Sequence, residues 1–308
     1  MFNCNTIFRF INKLSNFNIL KTDIVFLKQR NFGDIFNASF YFINQEFKKL
    51  IKSLFYFTGP FILIGTMLIS ISQFSLFSGI SNFRDNKFNN FTAYYFFGAV
   101  FLIIAVLMMM NTVYSYIKLY NKFGHNGFGV ENVFKEVRGN FLKSFFTIFL
   151  LCILYALIGV VSIILAGIPF IYFYISTTFV LPIRIFENKN LSEAFSKSFK
   201  LIKNNWWSTF GLVILSSITI NILSIGLTLP LTTIAGAVTY AVGVADNNKL
   251  YSIIMLVYYS FAIISYYILM SVVFIIIAFQ YFNLIEEKEH PTLFERIKEI
   301  NMDNNIKL

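Results

Sequence analysis

Charge is what this sequence has least of. Only 13% of its 308 residues are Asp, Glu, Lys or Arg, where a soluble domain carries roughly a quarter. Hydrophobic residues make up 57%, and the mean hydropathy is +0.67. Five stretches hold no charged residue at all: Ser53–Phe83, Phe88–Ile117, Ser144–Ile183, Asn204–Ala245 and Leu250–Ile285. Each exceeds the roughly 20 apolar residues that cross a bilayer. A soluble fold is excluded, and at least five membrane spans are expected.

Reactive side chains are equally scarce. Cys4 and Cys152 are the only cysteines, one in the N-terminal segment and one inside an apolar stretch, so neither a disulfide framework nor a thiolate metal site is expected. His125 and His290 are too far apart for a local metal motif and read as solvated loop residues. HExxH, GxSxG and a phosphate-cradling GK[ST] loop are all missing, and "GHNGFG" reads as a turn. Ionisable groups inside spans are costly and mark catalysis or ion coupling; none falls inside an expected span. The chain therefore reads as non-enzymatic, without cofactor or metal. The first thirty residues carry Arg9, Lys13, Lys21, Lys28 and Arg30 around no apolar core, so the first membrane helix, not a cleaved leader, is expected to direct insertion. What is abundant besides aliphatics is Phe, at 40, and Tyr, at 17. Ile, Asn and Lys are common too, and all have A/T-rich codons, so no function is assigned to the phenylalanines as a set.

Punctuation divides the long stretches. Ala166-Gly167 followed by Pro169 splits Ser144–Ile183 into two helices joined by a tight turn, the second kinked at Pro182. Pro230 interrupts Asn204–Ala245, and the remainder, 231–245, reads as an extracytoplasmic or re-entrant helix too short to be another crossing. With six spans, alternate compartments hold 22 and 3 of the 25 Lys and Arg residues, a strong positive-inside asymmetry that puts both termini in the cytoplasm. The net charge of +10 is confined to loops beside the membrane, so anionic lipid headgroups, not nucleic acid, are the expected partner.

The segment "NLSEAFSKSFKLIKNNWW" explains how those charges are used. On a helix after Asn190, the residues Leu191, Phe195, Phe199, Ile202 and Trp206 form one stripe and Lys197, Lys200 and Lys203 the opposite face. Asn190 and Glu193 have capping-box spacing. Such a helix lies in the headgroup layer, apolar face down, with Trp206 and Trp207 at the interface. A shift of 159 residues superimposes Asp34, Phe36, Phe40, Phe42, Ile43 and Phe47 on Glu193, Phe195, Phe199, Leu201, Ile202 and Trp206. Val133, Phe134 and Val137 beside Lys135 and Arg138 make a weaker third copy leading into a span at Ser144. The expected fold is all-α integral membrane: six transmembrane helices as three hairpins, each preceded by an amphipathic interfacial helix. Its units run about 31–117, 128–187 and 190–285, within a membrane domain of 31–285. An N-terminal cytoplasmic segment of 1–30 and a cytoplasmic tail of 286–308 flank it. Leu293, Ile297 and Ile300 in that tail suggest a short amphipathic helix.

Polar residues in the spans read mostly as helix glue: Ser216, Ser217, Thr219 and Asn221 in the fifth span, with Ala237, Ala241 and Ala245 permitting close approach. Arg184, two residues after Pro182, is expected either to pair with Glu187 or to hold a lipid phosphate. The last span is longer than a 30 Å core requires.

The segments "LPIRIFENKNLSEAFSKSFKLIKNNWWSTFGLVIL" and "QYFNLIEEKEHPTLFERI" resemble the membrane domain associated with some glycerophosphodiester phosphodiesterases. "RNFGDIFNASFYFINQEFKKL" is similar to the N-terminal motif of free-standing versions found in Bacteroidota. The resemblance spans roughly residues 30–300. It implies a multi-pass protein of the bacterial inner membrane without the catalytic domain, and it transfers no active site.

Two functional expectations result. One is a non-enzymatic membrane protein that organises lipid, or serves a membrane complex as scaffold or accessory subunit, through its basic interfacial helices. The residues expected to contact headgroups or a partner are Arg184, Lys197, Lys200, Lys203, Trp206, Trp207, Lys48 and Lys49. The alternative is a transporter or lipid-handling protein with a site near the Pro182 or Pro230 helix breaks. Orientation is directly testable. Cysteines placed at Lys49 and Lys200, in a chain lacking Cys4 and Cys152, are expected to react with an impermeant maleimide only after cells are opened; labelling of either from outside overturns the assignment.

Overall fold

The computed structural model describes residues 24–79, 87–242 and 248–293. These residues form helices and no strand. In chain order the helices are α1 (Phe32–Phe57), α2 (Gly59–Gly79), α3 (Lys87–Phe123), α4 (Val130–Ile164), α5 (Ile168–Thr177), α6 (Val180–Phe186), α7 (Leu191–Ile202), α8 (Trp206–Val242) and α9 (Asn248–Glu289). Among them α3, α4, the α5–α6 pair, α8 and α9 are long and apolar enough to cross a bilayer. α1 and α2, bent by 59° at their junction, pass as a pair. The molecule is an all-α integral membrane protein with five or six candidate spans.

Turn chemistry explains the bends. Ala166 and Gly167 both have positive φ, 51° and 77°, and the Gly167 amide donates to the Ser162 carbonyl at 2.8 Å. That closes α4 within two residues, and Pro169 starts α5 in the first helical turn, where its missing N–H costs nothing. The break between α5 and α6 falls at Thr178 and Phe179, so Pro182 sits in the first turn of α6 and the backbone gives way one turn before it.

Three expectations need correction. α8 does not stop at Pro230: it runs 37 residues from Trp206 to Val242 with Pro230 inside it. The proline forfeits one amide bond to Gly226, whereas halting the helix in hydrocarbon would strand a whole turn of backbone. The neighbouring Thr232 and Thr233 turn their hydroxyls onto the Leu229 and Pro230 carbonyls at 2.7 and 2.8 Å. Residues 243–245 of the expected 231–245 helix lie outside the described residues, as do the side chains of Ala241 and Ala245. α4 is likewise one 35-residue helix, so the stripe at Val133 and Val137 continues into the span without a separate surface helix. Asn190 caps α7 through its backbone, and its side chain makes no capping bond. Most of the N-terminal segment, Arg84, and Ile297 and Ile300 of the tail also lie outside the described residues.

The core is concentrated at the basic end of the bundle. Residues 274–286 of α9 are buried without interruption. Around them Phe26 meets Phe279 and Phe282 with ring centroids at 4.9 and 5.2 Å, and Phe42 meets Tyr120 at 5.2 Å. Residues 24–30 are tied into this layer: the Ile24 amide donates to Tyr120 Oη at 3.1 Å and the Arg30 amide to Asn283 Oδ1 at 2.7 Å. At the opposite end Ile163 and Ile164 are more than four-fifths exposed, the state of side chains that face acyl chains. One spacing of buried positions recurs. Ile35, Ser39, Phe42 and Ser53 in α1 have counterparts in Val133, Val137, Asn140 and Leu151 of α4, and in Ala194, Ser198, Leu201 and Leu212 of α7 and α8.

α2 and α3 approach backbone to backbone. A Cβ on Gly65 would meet Leu102 at 2.8 Å and the Gly98 carbonyl at 3.1 Å; one on Gly98 would meet Ile69 at 2.7 Å. Small residues permit this contact, which dispersion must hold without help from a hydrophobic gradient. Gly98→Val is expected to lower stability by about 1–3 kcal/mol, read as the thermal midpoint in detergent. Gly139→Ala, where a Cβ meets nothing within 4 Å, is expected to leave it unchanged or raise it.

Candidate functional site

The basic end carries two polar clusters and one lysine-walled hollow. The first cluster begins with Glu46, on the buried face of α1 at 1% exposure. Tyr116 of α3 donates its hydroxyl to Glu46 Oε2 at 2.5 Å, and His125 Nδ1 contacts Oε1. Lys49, one turn on in α1, donates to the His125 carbonyl at 2.7 Å and to Asn126 Oδ1 at 3.1 Å. His125 is thus not a solvated loop residue: its side chain is 11% exposed, and it draws the α3–α4 loop onto α1. Both Glu46 oxygens are engaged. No group of three His, Cys, Asp or Glu side chains suited to a metal occurs among the described residues.

The second cluster joins α6, α7 and α9. Glu187 accepts Lys197 at 2.8 Å and Lys189 at 3.0 Å, and it accepts the Tyr281 hydroxyl. Lys197 also reaches Glu289 at 2.7 Å. Burial pushes the Glu187 carboxyl up, but the hydrogen bonds from Lys197, Tyr281 and Lys189 outweigh it and hold the group below the usual carboxylate range. Arg184 does not pair with Glu187. Its guanidinium donates across to α4, to the Lys143 carbonyl at 2.9 Å and to Thr147 Oγ1.

Lys197 is therefore engaged within the protein by two carboxylates, with its side chain 12% exposed. The cause is the phase of α7, whose buried face is Ala194, Ser198, Leu201 and Ile202, with the Ser198 hydroxyl on the Ser176 carbonyl at 2.7 Å. Small residues let α7 stack on α5 and α6. The phenylalanines expected to lie against lipid flank that contact, Phe195 half-buried and Phe199 exposed. Lys200 and Lys203 are exposed, while their carbonyls accept Lys288 Nζ at 3.0 and 2.5 Å. Trp206 stacks between Tyr172 and Phe210, at 6.0 and 5.0 Å. Trp207 is 77% exposed beside it.

Lys48 and Lys49 come together with Lys52 in a hollow of about 280 Å³. Ser53 and Tyr116 line it too, and Phe128, Gly129 and Val130 bring the N-terminus of α4 to its wall. Lys49 Nζ stands 5.9 Å from the Phe128 ring centroid. Lys48 and Lys52 are exposed, with no acidic partner among the described residues. Sequence reasoning missed Lys52, Glu46 and Tyr116. A signal existed for Glu46, which continues the buried stripe of Ile35, Ser39 and Phe42.

A family model for the membrane domain of glycerophosphoryl diester phosphodiesterase matches residues 149–308, from within α4 through α9 to the end of the chain. The match is shorter than the span of 30–300 that the sequence motifs imply. No curated protein and no solved structure matches the chain.

The depressed Glu187 group makes a pH prediction. Its contribution to stability is present above the usual carboxylate range and is lost as pH falls through its lowered value. Glu187→Gln is expected to cost about 1–3 kcal/mol at neutral pH. The difference between variant and wild-type thermal midpoints should shrink below about pH 4.

Proposed function

This chain belongs to the family of the membrane domain of glycerophosphoryl diester phosphodiesterase, and from that premise we propose a non-enzymatic role. The protein is a multi-pass membrane protein that holds anionic lipid headgroups on its basic face and, with them, offers that face to a membrane complex as scaffold or accessory subunit. It sits in the inner membrane with the basic end toward the cytoplasm; the 22 to 3 partition of Lys and Arg supports that orientation.

The observation that carries the reading is the hollow walled by Lys48, Lys49 and Lys52. Its lysines are arranged for a phosphate. Lys49 is fixed by the α3–α4 loop, Lys48 and Lys52 keep their ammonium groups for a ligand, and the N-terminus of α4 adds the positive end of a helix dipole. Phe128 supplies an apolar wall for the carbon adjoining the phosphate. Surface lysines gain about 1 kcal/mol each beside an anionic leaflet, and a shared concavity concentrates that gain on one headgroup. Lys200, Lys203 and Trp207, exposed at the same end, suit the rim of such a face, whereas Lys197 and Arg184 serve internal packing.

A second reading, lipid handling within the membrane, is favoured by a separate observation: a cavity that reaches the α5–α6 break at Thr178 and Leu181.

Native mass spectrometry of the protein released from mild detergent tests the first reading. Wild type is expected to retain anionic phospholipid adducts over zwitterionic ones. Charge reversal of Lys48 and Lys52 to Glu is expected to reduce the anionic adducts about tenfold, the loss of roughly 1.4 kcal/mol, without changing the zwitterionic signal. Equal retention by both proteins overturns it.

A further inference from the structure

The cavity at the helix break has a polar lining that the packing uses only in part. About 200 Å³ in volume, it lies between α3, α4, the α5–α6 segment and α9. Tyr114, Cys152, Tyr155, Tyr174, Thr177 and Thr178 bring it hydroxyls and a thiol, and the rest of its wall is aliphatic, methionine or phenylalanine. Tyr114 is about nine residues from the C-terminus of α3, or about 14 Å along the helix. The site is thus inside the apolar span but nearer its basic end.

Hydrogen bonding sets the polarity of the lining. Thr177 Oγ1 donates to the Phe173 carbonyl at 2.8 Å, so in its 2.8 Å contact with Tyr155 it accepts and the Tyr155 hydroxyl donates. Thr178 Oγ1 donates to the Tyr174 carbonyl at 2.9 Å. Those donors are spent. The Tyr114 hydroxyl is different: the residue is 0% exposed, and its oxygen has no hydrogen-bond partner among the described residues. A buried hydroxyl left in that state costs about 1–3 kcal/mol, and native interiors rarely keep one without a reason. It lines a cavity larger than the ~150 Å³ that accommodates a benzene ring.

No acidic or basic side chain lines this cavity, which excludes a charged ligand at a depth where an unpaired charge is costly. Cys152 lines it and is also exposed on the outer surface of α4, so the mouth opens sideways toward acyl chains. We infer that this is a binding site for an uncharged, membrane-dissolved lipid, whose carbonyl oxygen accepts the Tyr114 hydroxyl while its carbon chain leaves past Cys152. The site rests on the second reading, lipid handling within the membrane; it is independent of the headgroup hollow at Lys48, Lys49 and Lys52, and either can fail without the other.

Cys152 supplies the readout. In the full chain carrying Cys4→Ser, alkylation by N-phenylmaleimide is followed in detergent with dioctanoylglycerol, with a short-chain ubiquinone, or with tetradecane. The first two distinguish an acylglycerol from a quinone source of the carbonyl; the third has the chain and no acceptor. Slowing of alkylation by at least one carbonyl probe and not by tetradecane is the expected result. Tyr114→Phe is expected to weaken that protection about fivefold to tenfold, the worth of one hydrogen bond. It should leave the ligand-free thermal midpoint unchanged or higher, since the hydroxyl it removes has no protein partner. Protection by neither carbonyl probe, equal protection by tetradecane, or undiminished protection in Tyr114→Phe overturns the site. A ligand-free midpoint that falls in Tyr114→Phe does so as well, because the hydroxyl is then already satisfied by water.

Discussion

A carboxylate that leaves water at the margin of a bilayer must find donors in the protein, and the basic end of this bundle is organised around that demand. Glu46 is almost wholly buried and takes its donor from α3 and its second contact from the α3–α4 loop. Glu187 gathers two lysines and a tyrosine from α7, α9 and the segment just after α6. Replacing such a group by an apolar one is often tolerated, but removing one partner leaves a charge in low dielectric. The helices that meet here are therefore constrained jointly. Each carboxylate fixes the relative position of elements far apart in sequence, and the aromatic layer of Phe26, Phe42, Phe279 and Phe282 fills the space those contacts define.

From that end the bundle loosens. The buried run of α9 gives way beyond Ser271 to half-exposed positions, and the α4–α5 turn projects isoleucines with almost no protein contact. A soluble protein could not expose such a surface. In hydrocarbon it costs nothing, and it frees the outer halves of the spans from packing requirements. The proposed headgroup hollow lies in the constrained layer and the tyrosine-lined cavity at its inner boundary, where rigid walls are available on one side and lipid access on the other.

Much of this was legible in the sequence because the relevant signals are local. Charge-free length identifies spans, and Ala166-Gly167 with Pro169 identifies a turn whatever surrounds it. Pro182 likewise marks the α5–α6 break to within a few residues. Pro230 misleads because a proline's effect depends on the alternative: in water a helix can end there, and inside a membrane the unpaired backbone makes continuing cheaper. α7 misleads for another reason. Its largest apolar residues suggest a lipid-facing stripe, yet the contact face is built from Ala194, Ser198 and Leu201, because closeness to α5 and α6 matters more there than hydrophobic bulk. Lys197 consequently points at Glu187 and Glu289, residues no local pattern links to it. His125 and Glu46 are separated by the last turns of α1 and by the whole of α2 and α3, and only the folded bundle joins them. Of the expected contact residues, Lys48 and Lys49 are singled out in the sequence by their charge, but the hollow that unites them with Lys52 needs the α3–α4 loop in place.

The two-residue turn at Ala166-Gly167 also bears on how the chain is made. With no loop to thread ahead of it, α5 has no independent route across the membrane, so α4 and α5 must partition from the insertion machinery together as a preformed antiparallel unit. Because α5 is only ten residues long, that step also carries α6 into place. The lateral cavity between these helices, α3 and α9 is then closed only once this unit has met both an earlier-synthesised neighbour and the last helix of the chain, which makes its assembly a late event in biogenesis.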